Sequence, residues 1–370
     1  MIRFVFIFII AIKISYGFNH ENPFFYKIED EKNDKIPIYI TQSLSFGYED
    51  NFMRFSDLEI DSYYNETYTD NDYLGDSKLY DSAIISPSLQ VALKPKIKGY
   101  KTNIILKAKF NEYSSSNHKS YFNFSTRFEL KLKSYNWIKF SYSLTPKYYL
   151  RTFIDRDILP LNYYPCYFAN ENISLSYSFP WPIKSIRKTW VDIKLNLNNQ
   201  FYNEYFTEYD TKVINLETNI KTSFFKNYFF SIGYFYGMAD NISYDNLLGL
   251  SESTRIDRSY NKIGLKINAK KTFNKPLISS LGIKLKVSKR IYDLDSWYYE
   301  FDNWKEYYET DLTIDYSKKI NKRTTIKVSG KHFFRDVVAS QSKETLWVED
   351  YKIYNRNELW LRFIFNFSNK

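Results

Sequence analysis

Residues Phe122–Leu132 read FNFSTRFELKL. Phe122, Phe124, Thr126, Phe128, Leu130 and Leu132 occupy one phase, and Asn123, Ser125, Arg127, Glu129 and Lys131 the other. Successive side chains of an extended chain point to opposite sides, so this is a strand with one apolar and one polar face. The pattern recurs at Val191, Ile193, Leu195 and Leu197 against Asp192, Lys194, Asn196 and Asn198. It recurs again at Ile263, Leu265 and Ile267, and at Leu281, Ile283, Leu285 and Val287. No stretch shows a comparable 3.6-residue period.

Fourteen such segments follow one another: 38–49, 85–93, 98–110, 120–132, 135–145, 172–180, 189–198, 211–221, 227–238, 260–273, 279–290, 305–316, 323–336 and 357–368. Most are longer than the roughly 5–6 residues usual in soluble sheets, and about 9–11 tilted residues cross a bilayer. The links alternate in length. Long links at 50–84, 111–119, 146–171, 199–210, 239–259, 291–304 and 337–356 are separated by shorter ones. Tight turns at one end and long loops at the other, with an even strand number, mark a transmembrane barrel. A soluble sandwich has no reason to place all its long loops at one end. The predicted fold is all-β: a transmembrane antiparallel up-and-down β-barrel of about fourteen strands, within a range of 12–16.

The termini agree. Met1–Gly17 carries Arg3, an apolar run Phe4–Ile12 and small residues at Ser15 and Gly17. That order is a secretory signal peptide, too short in its apolar part for a spanning helix. The expected division is therefore 1–17 signal peptide, 18–36 short periplasmic segment, and 37–370 a single barrel. At the other end Leu359, Leu361, Phe363, Phe365 and Phe367 share one phase. This resembles the terminal strand of bacterial outer-membrane proteins, although three polar residues follow the last aromatic. The resemblance implies a bacterial outer-membrane location, contact with membrane lipid and recognition by the outer-membrane assembly machinery. Gly47-Tyr48-Glu49-Asp50-Asn51-Phe52-Met53-Arg54-Phe55-Ser56-Asp57 also resembles the opening of barrels found with exopolysaccharide-export genes.

Composition narrows the function classes. The 370 residues include 36 Tyr, 31 Phe and 7 Trp, so disorder is excluded. One cysteine, Cys166, excludes a disulfide framework and multi-cysteine metal sites. Three histidines leave little for metal or triad chemistry. No nucleophile elbow, phosphate loop or metal-ligand spacing is present, and no catalytic residue, metal or cofactor is expected. His332 falls in the apolar phase of its strand. The formal charge of +10 is spread at strand period, unlike a nucleic-acid-binding patch.

If the apolar phase faces lipid, the polar phase lines the lumen. Lys101, Lys107, Arg127, Lys131, Lys194, Lys266, Lys284, Lys286 and Arg362 are then candidate pore-lining cations. The acids in that phase are fewer: Glu129, Asp192, Glu217, Glu309, Asp311, Asp315 and Glu358. Rings of Lys and Arg favour anions in a pore. The expected function is a porin-like channel for small, anionic solutes. The alternative is a closed barrel with a structural, surface-binding or export-associated role. The two differ in how many of the cations are neutralised by acids on neighbouring strands, which depends on register.

Two loops carry further expectations. By resemblance to general porins, 146–171 is the candidate constriction, with Arg151 and Arg156 facing Asp155 and Asp157. The acidic loop 49–76 holds one cation, Arg54, and 53–64 within it reads as an extra hairpin.

Overall fold

The computed structural model describes residues 36–64, 74, 75, 77, 79–155, 162–181, 188–224, 227–242, 257–273, 279–293, 304–339 and 352–368. The signal-peptide segment and most of 18–36 lie outside the described residues. Fourteen long strands form one sheet: β1 (Ile38–Glu49), β2 (Ser82–Leu93), β3 (Tyr100–Tyr113), β4 (Tyr121–Lys133), β5 (Asn136–Asp155), β6 (Asn162–Pro180) and β7 (Thr189–Tyr202) make the first half. The second half is β8 (Thr211–Phe224), β9 (Tyr228–Asn241), β10 (Tyr260–Thr272), β11 (Ser280–Asp293), β12 (Trp304–Lys319), β13 (Thr324–Ala339) and β14 (Tyr354–Ser368). Each strand pairs antiparallel with its sequence neighbours, and β14 pairs with β1 from Tyr39↔Ser368 to Glu49↔Glu358. The sheet is a closed up-and-down barrel. A two-residue strand, Lys96–Ile97, sits inside the β2–β3 turn.

The register fixes the two faces. Leu195, Leu216, Tyr236 and Ile263 stand side by side across four strands. They belong to the convex side, where Leu216, Leu265, Ile283 and Leu359 are among many half-exposed apolar side chains. Tyr100, Tyr228 and Tyr236 are exposed in the same phase. The other phase is concave, because its side chains reach one another over intervening strands. Lys262 on β10 meets Glu309 on β12, and Lys266 on β10 meets Glu217 on β8. A long apolar belt on the outside with polar groups inside suits lipid, where every backbone amide must be paired within the protein. No helix among the described residues is long and apolar enough to cross a membrane.

The tight-turn end contains β4–β5, joined by Ser134 and Tyr135, with Tyr135 at φ +58°. At the β2–β3 turn Gly99 takes φ +79°, a conformation that costs glycine little.

The opposite end departs from the sequence reading in two places. The loop expected at 146–171 is mostly wall: β5 runs to Asp155 and β6 begins at Asn162. These two strands have 20 and 19 residues, well beyond the span of a bilayer. The link between them, 156–161, is thus shorter than the 181–188 turn that follows, and the strict alternation of link lengths fails there. The register slips between Thr145/Tyr148 and Tyr149/Thr152. Those bulges break the period of two, which is why the wall read as a loop. The second departure is at 53–64. No hairpin forms; Asp57–Tyr64 is a helix, α1.

The outward face yields a test. Leu216 lies near the middle of β8, 51% exposed on the convex side. Leu216→Arg should lower folding stability in lipid vesicles by about 2–4 kcal/mol, as for a cation at the bilayer midplane. Denaturant titration of the vesicle-folded protein checks it. A near-zero change would mean that this face meets water.

Candidate functional site: the lumen and its inward loop

The inward side chains come from alternate positions of all fourteen strands. Each of the nine sequence-selected cations, Lys101 through Arg362, stands on a concave-phase position. They do not behave alike. Lys284 bonds Asp315 at 2.9 Å, Lys266 bonds Glu217, and Arg127 is 3.7 Å from Glu129. Lys101 and Lys131 sit opposite one another near the tight turns, with Lys131 over the Trp137 ring. Lys107, Lys194, Lys286 and Arg362 make no ion pair among the described residues; Arg362 donates to Ser45 Oγ at 3.0 Å.

The acids are nearly all committed. Glu309 receives Lys262 at 2.6 Å, Arg335 at 2.7 Å and Arg290 at 3.2 Å. Asp315 takes Lys284 and Lys327, Asp192 takes Lys221, and Glu358 takes Lys331 and Arg356. Asp311 accepts from Thr313 at 3.4 Å. The surplus cations lie within electrostatic reach of other charges: Lys107 of Arg362 and Arg127; Lys194 of Arg127 and Lys266 and of the acids Glu217 and Asp192; Lys286 of Lys266 and Arg290 and of the acids Glu309 and Asp311. Arg362, Lys107, Arg127, Lys194, Lys266 and Lys286 therefore form a girdle of positive charge around the lumen.

Room for these side chains is made by glycines in the inward phase. A Cβ on Gly47 would lie 2.6 Å from the Trp360 ring, so glycine lets the indole lie against β1. Gly264 does the same for Phe235, whose ring carries Lys266 at 5.0 Å and Lys286 at 5.3 Å.

Among the described residues the mouth is narrowed by the first long loop. Phe52, Met53, Phe55 and Leu74 are buried against Ile84 of β2, Tyr113 of β3, Tyr149 of β5 and Trp360 of β14. The loop thus folds into the barrel. Its turn is held by Asn51, which donates to the carbonyls of Phe55 and Asn355 and accepts from Phe55 N. Asp50 accepts from both the backbone and the side chain of Asn357. Ser56 caps α1: its Oγ accepts from Glu59 N, and Glu59 Oε2 accepts from Ser56 N. This reciprocal capping box, Ser-x-x-Glu, was visible in the sequence. Glu59 also accepts from Arg151 of β5 at 2.8 Å, with both side chains 10% exposed. The motif that resembles export-associated barrels is thus the inward turn itself.

Arg54 is at the tip of that turn, with φ +61°. Its guanidinium faces Tyr148 of β5, Tyr354 of β14 and Glu49 of β1. Burial alone would lower its pKa; those oxygens outweigh burial and hold it above the usual arginine value. Lys119, from the β3–β4 link, is 1% exposed. It donates to the Tyr149 carbonyl at 2.8 Å, and burial pushes its pKa down. Glu49 accepts from Tyr113 at 3.0 Å and faces Arg356 at 3.3 Å.

Of the expected constriction residues, Arg151 and Asp155 are buried on β5. Arg156 and Asp157 lie outside the described residues. Arg151 meets Glu59, an acid of the first loop that the sequence reading did not select. Lys119, Glu49, Trp360 and Arg356 were likewise missed. Arg356 lay one residue before the expected start of the last strand, although it is in phase with Glu358. His332 lies in the outward phase beside Asn357, 2.8 Å from its Oδ1, and Cys166 is buried.

No protein-family model matches the sequence, and no curated protein sequence matches it. Solved structures resemble the fold. The outer membrane channel DcaP of Acinetobacter baumannii aligns at TM-score 0.43 and 10% identity, over 90% of this chain and 97% of that one. OccAB3 of the same species aligns at 0.40 and 10%, over 90% and 99%. An anion-selective porin from Comamonas acidovorans aligns at 0.38 and 8%, over 90% and 99%. No relation to exopolysaccharide export emerges.

The Arg151–Glu59 pair is the strut between the loop and the wall. Glu59→Ala removes both the pair and half of the capping box. Losing one partner of a buried pair costs about 3–5 kcal/mol. The loop should leave the mouth while the barrel stays folded. Limited proteolysis should then cut within 50–81 at least tenfold faster, with unchanged heat-modifiable gel migration. An unchanged cleavage rate would show that the strut does not hold the loop.

Proposed function

We propose that this chain is a bacterial outer-membrane channel of the porin type, through which small anionic solutes diffuse. The observation that carries the reading is the cation girdle. Glu217 offsets Lys266 and Glu129 offsets Arg127, but Lys107, Lys194, Lys286 and Arg362 make no ion pair among the described residues, so a net positive field remains along the lumen. A low-dielectric wall concentrates such a field and raises the local concentration of counter-ions. Cations in a ring attract anions and repel cations, with no chemistry and no cofactor. The inward loop 50–81 sets the narrowest section at the long-loop mouth, and the girdle selects by charge.

The packed apolar cluster of that loop favours a second reading, a closed barrel with a structural or surface-binding role. Single-channel recording in a planar bilayer under a salt gradient separates the two. Steady openings with an anion-selective reversal potential support the channel. A correctly folded but silent barrel removes it.

The pairing pattern sharpens the test. Lys286→Gln should reduce anion preference clearly, because that charge makes no ion pair among the described residues, although Asp311 stands opposite it. Lys284→Gln should reduce it less, because Asp315 already offsets Lys284. Equal effects would mean that pairing does not decide which cations the solute feels.

A further inference from the structure

Below Arg54 lies a cavity of about 420 Å³ in the wall formed by β3, β4, β5 and β6. That volume is within the roughly 300–1,000 Å³ of small-molecule sites. We propose that this cavity binds a small oxyanion that carries a flat apolar ring, such as an aromatic carboxylate. The proposal rests on the lumen being the working surface of the protein, as in the reading above, but does not require flux.

The polar side of the cavity offers donors without acceptors. Arg54, Lys109 and Asn111 line it. Asn111 is 2% exposed, and its Nδ2 has no hydrogen-bond partner; Arg54 Nε has none either. A buried donor left unpaired costs about 1–3 kcal/mol, more when charged. Lys109 makes no ion pair among the described residues, and its ammonium stands 5.5 Å from the Trp360 ring. Of the two other amides in the lining, Asn123 is already spent on Thr145 Oγ1 and the Leu144 carbonyl, and Asn170 Oδ1 accepts from Asn198. Two cations and an idle amide thus converge on a cavity whose lining holds no carboxylate; Glu49, which faces Arg54, is also held by Tyr113 and Arg356, so the donors left over are the set of an oxyanion site.

The opposite side is aromatic. Tyr121 and Tyr148 pack at 5.0 Å, and Tyr148 and Phe168 at 5.2 Å. All three line the cavity. A bare inorganic ion would leave this wall uncovered, whereas a ring would pack against it at the offset geometry aromatic pairs prefer. The left-handed backbone of Arg54 is a further sign. A non-glycine residue held there stores strain that the surrounding structure must overcome, and such residues gather at ligand sites. Here the strained residue is Arg54, which lines the cavity.

Calorimetry on the full barrel refolded in detergent micelles tests this, with sodium benzoate, acetate and inorganic phosphate as probes. Benzoate should bind at least tenfold more tightly than acetate or phosphate. Arg54→Gln should weaken benzoate at least tenfold. Lys109→Gln, on a strand and away from the inward turn, should weaken it severalfold without disturbing the loop. Phe168→Ala should remove the advantage of benzoate over acetate while leaving acetate unchanged. Equal binding of benzoate and acetate, or benzoate binding untouched by both charge variants, would overturn the proposal. A barrel that binds benzoate but conducts nothing would leave the site standing and remove the channel. Conduction without benzoate binding would do the reverse.

Discussion

Closure of the hydrogen-bonded sheet is the constraint from which the rest follows. Fourteen strands whose first and last pair over Tyr39–Glu49 leave no unpaired edge. Once the ring is closed, the period of two divides every strand between lipid and lumen. A slip of one residue would turn an entire face inside out. The outward phase tolerates almost any apolar residue. The inward phase must settle charge and space within itself, and most of the particular side-chain arrangements are found there.

Charge in the lumen is settled only in part. Glu309 alone holds three cations, and two of those are stacked on tyrosines: Arg290 over Tyr260 at 4.5 Å and Arg335 over Tyr307 at 5.0 Å. Cation–π contact lets a guanidinium sit beside others without a carboxylate of its own. Some paired cations also stay open to hydration, as Lys284 beside Asp315 at 52% and Arg127 beside Glu129 at 55% exposure illustrate. A self-neutralised packed interior would pair cation with acid one to one. Here Glu309 gathers three cations and Asp315 and Glu358 two each, and the surplus is left in a ring.

The sequence made the wall legible because period-two alternation is a local property, set by each strand against its two environments. Strands such as 189–198 and 260–273 needed no long-range information. Pairing did need it: Lys266 and Glu217 are separated by a whole strand, and only register brings them together. The mouth was obscured for another reason. At 146–171 two bulges shift the phase among tyrosines that serve equally on either face, so the alternation vanished where the strands continued. At 53–64, within the acidic loop, the sequence reading expected an extra hairpin, yet Ser56 and Glu59 already spelled a helix start. The composition described the exposed side of α1 and not the side that Phe52, Met53 and Phe55 bury.

Why the first loop enters the barrel follows from what it would otherwise leave in water. Phe52, Met53 and Phe55 are contiguous enough that no surface conformation hides them all, and burying each side chain is worth about 1.5–3 kcal/mol. Their partners are already in place. Gly47 lets Trp360 lie flat, Ile84 and Tyr113 face inward on adjacent strands, and the tall β5–β6 wall brings Tyr149 to the same level. Arg151, also on that tall wall, reaches Glu59 only because β5 continues past the bulges. The residues that read as a third loop are thus the scaffold for the first one. The extended wall and the inward turn form a single device at the mouth: one supplies the height, the other the side chains that narrow it.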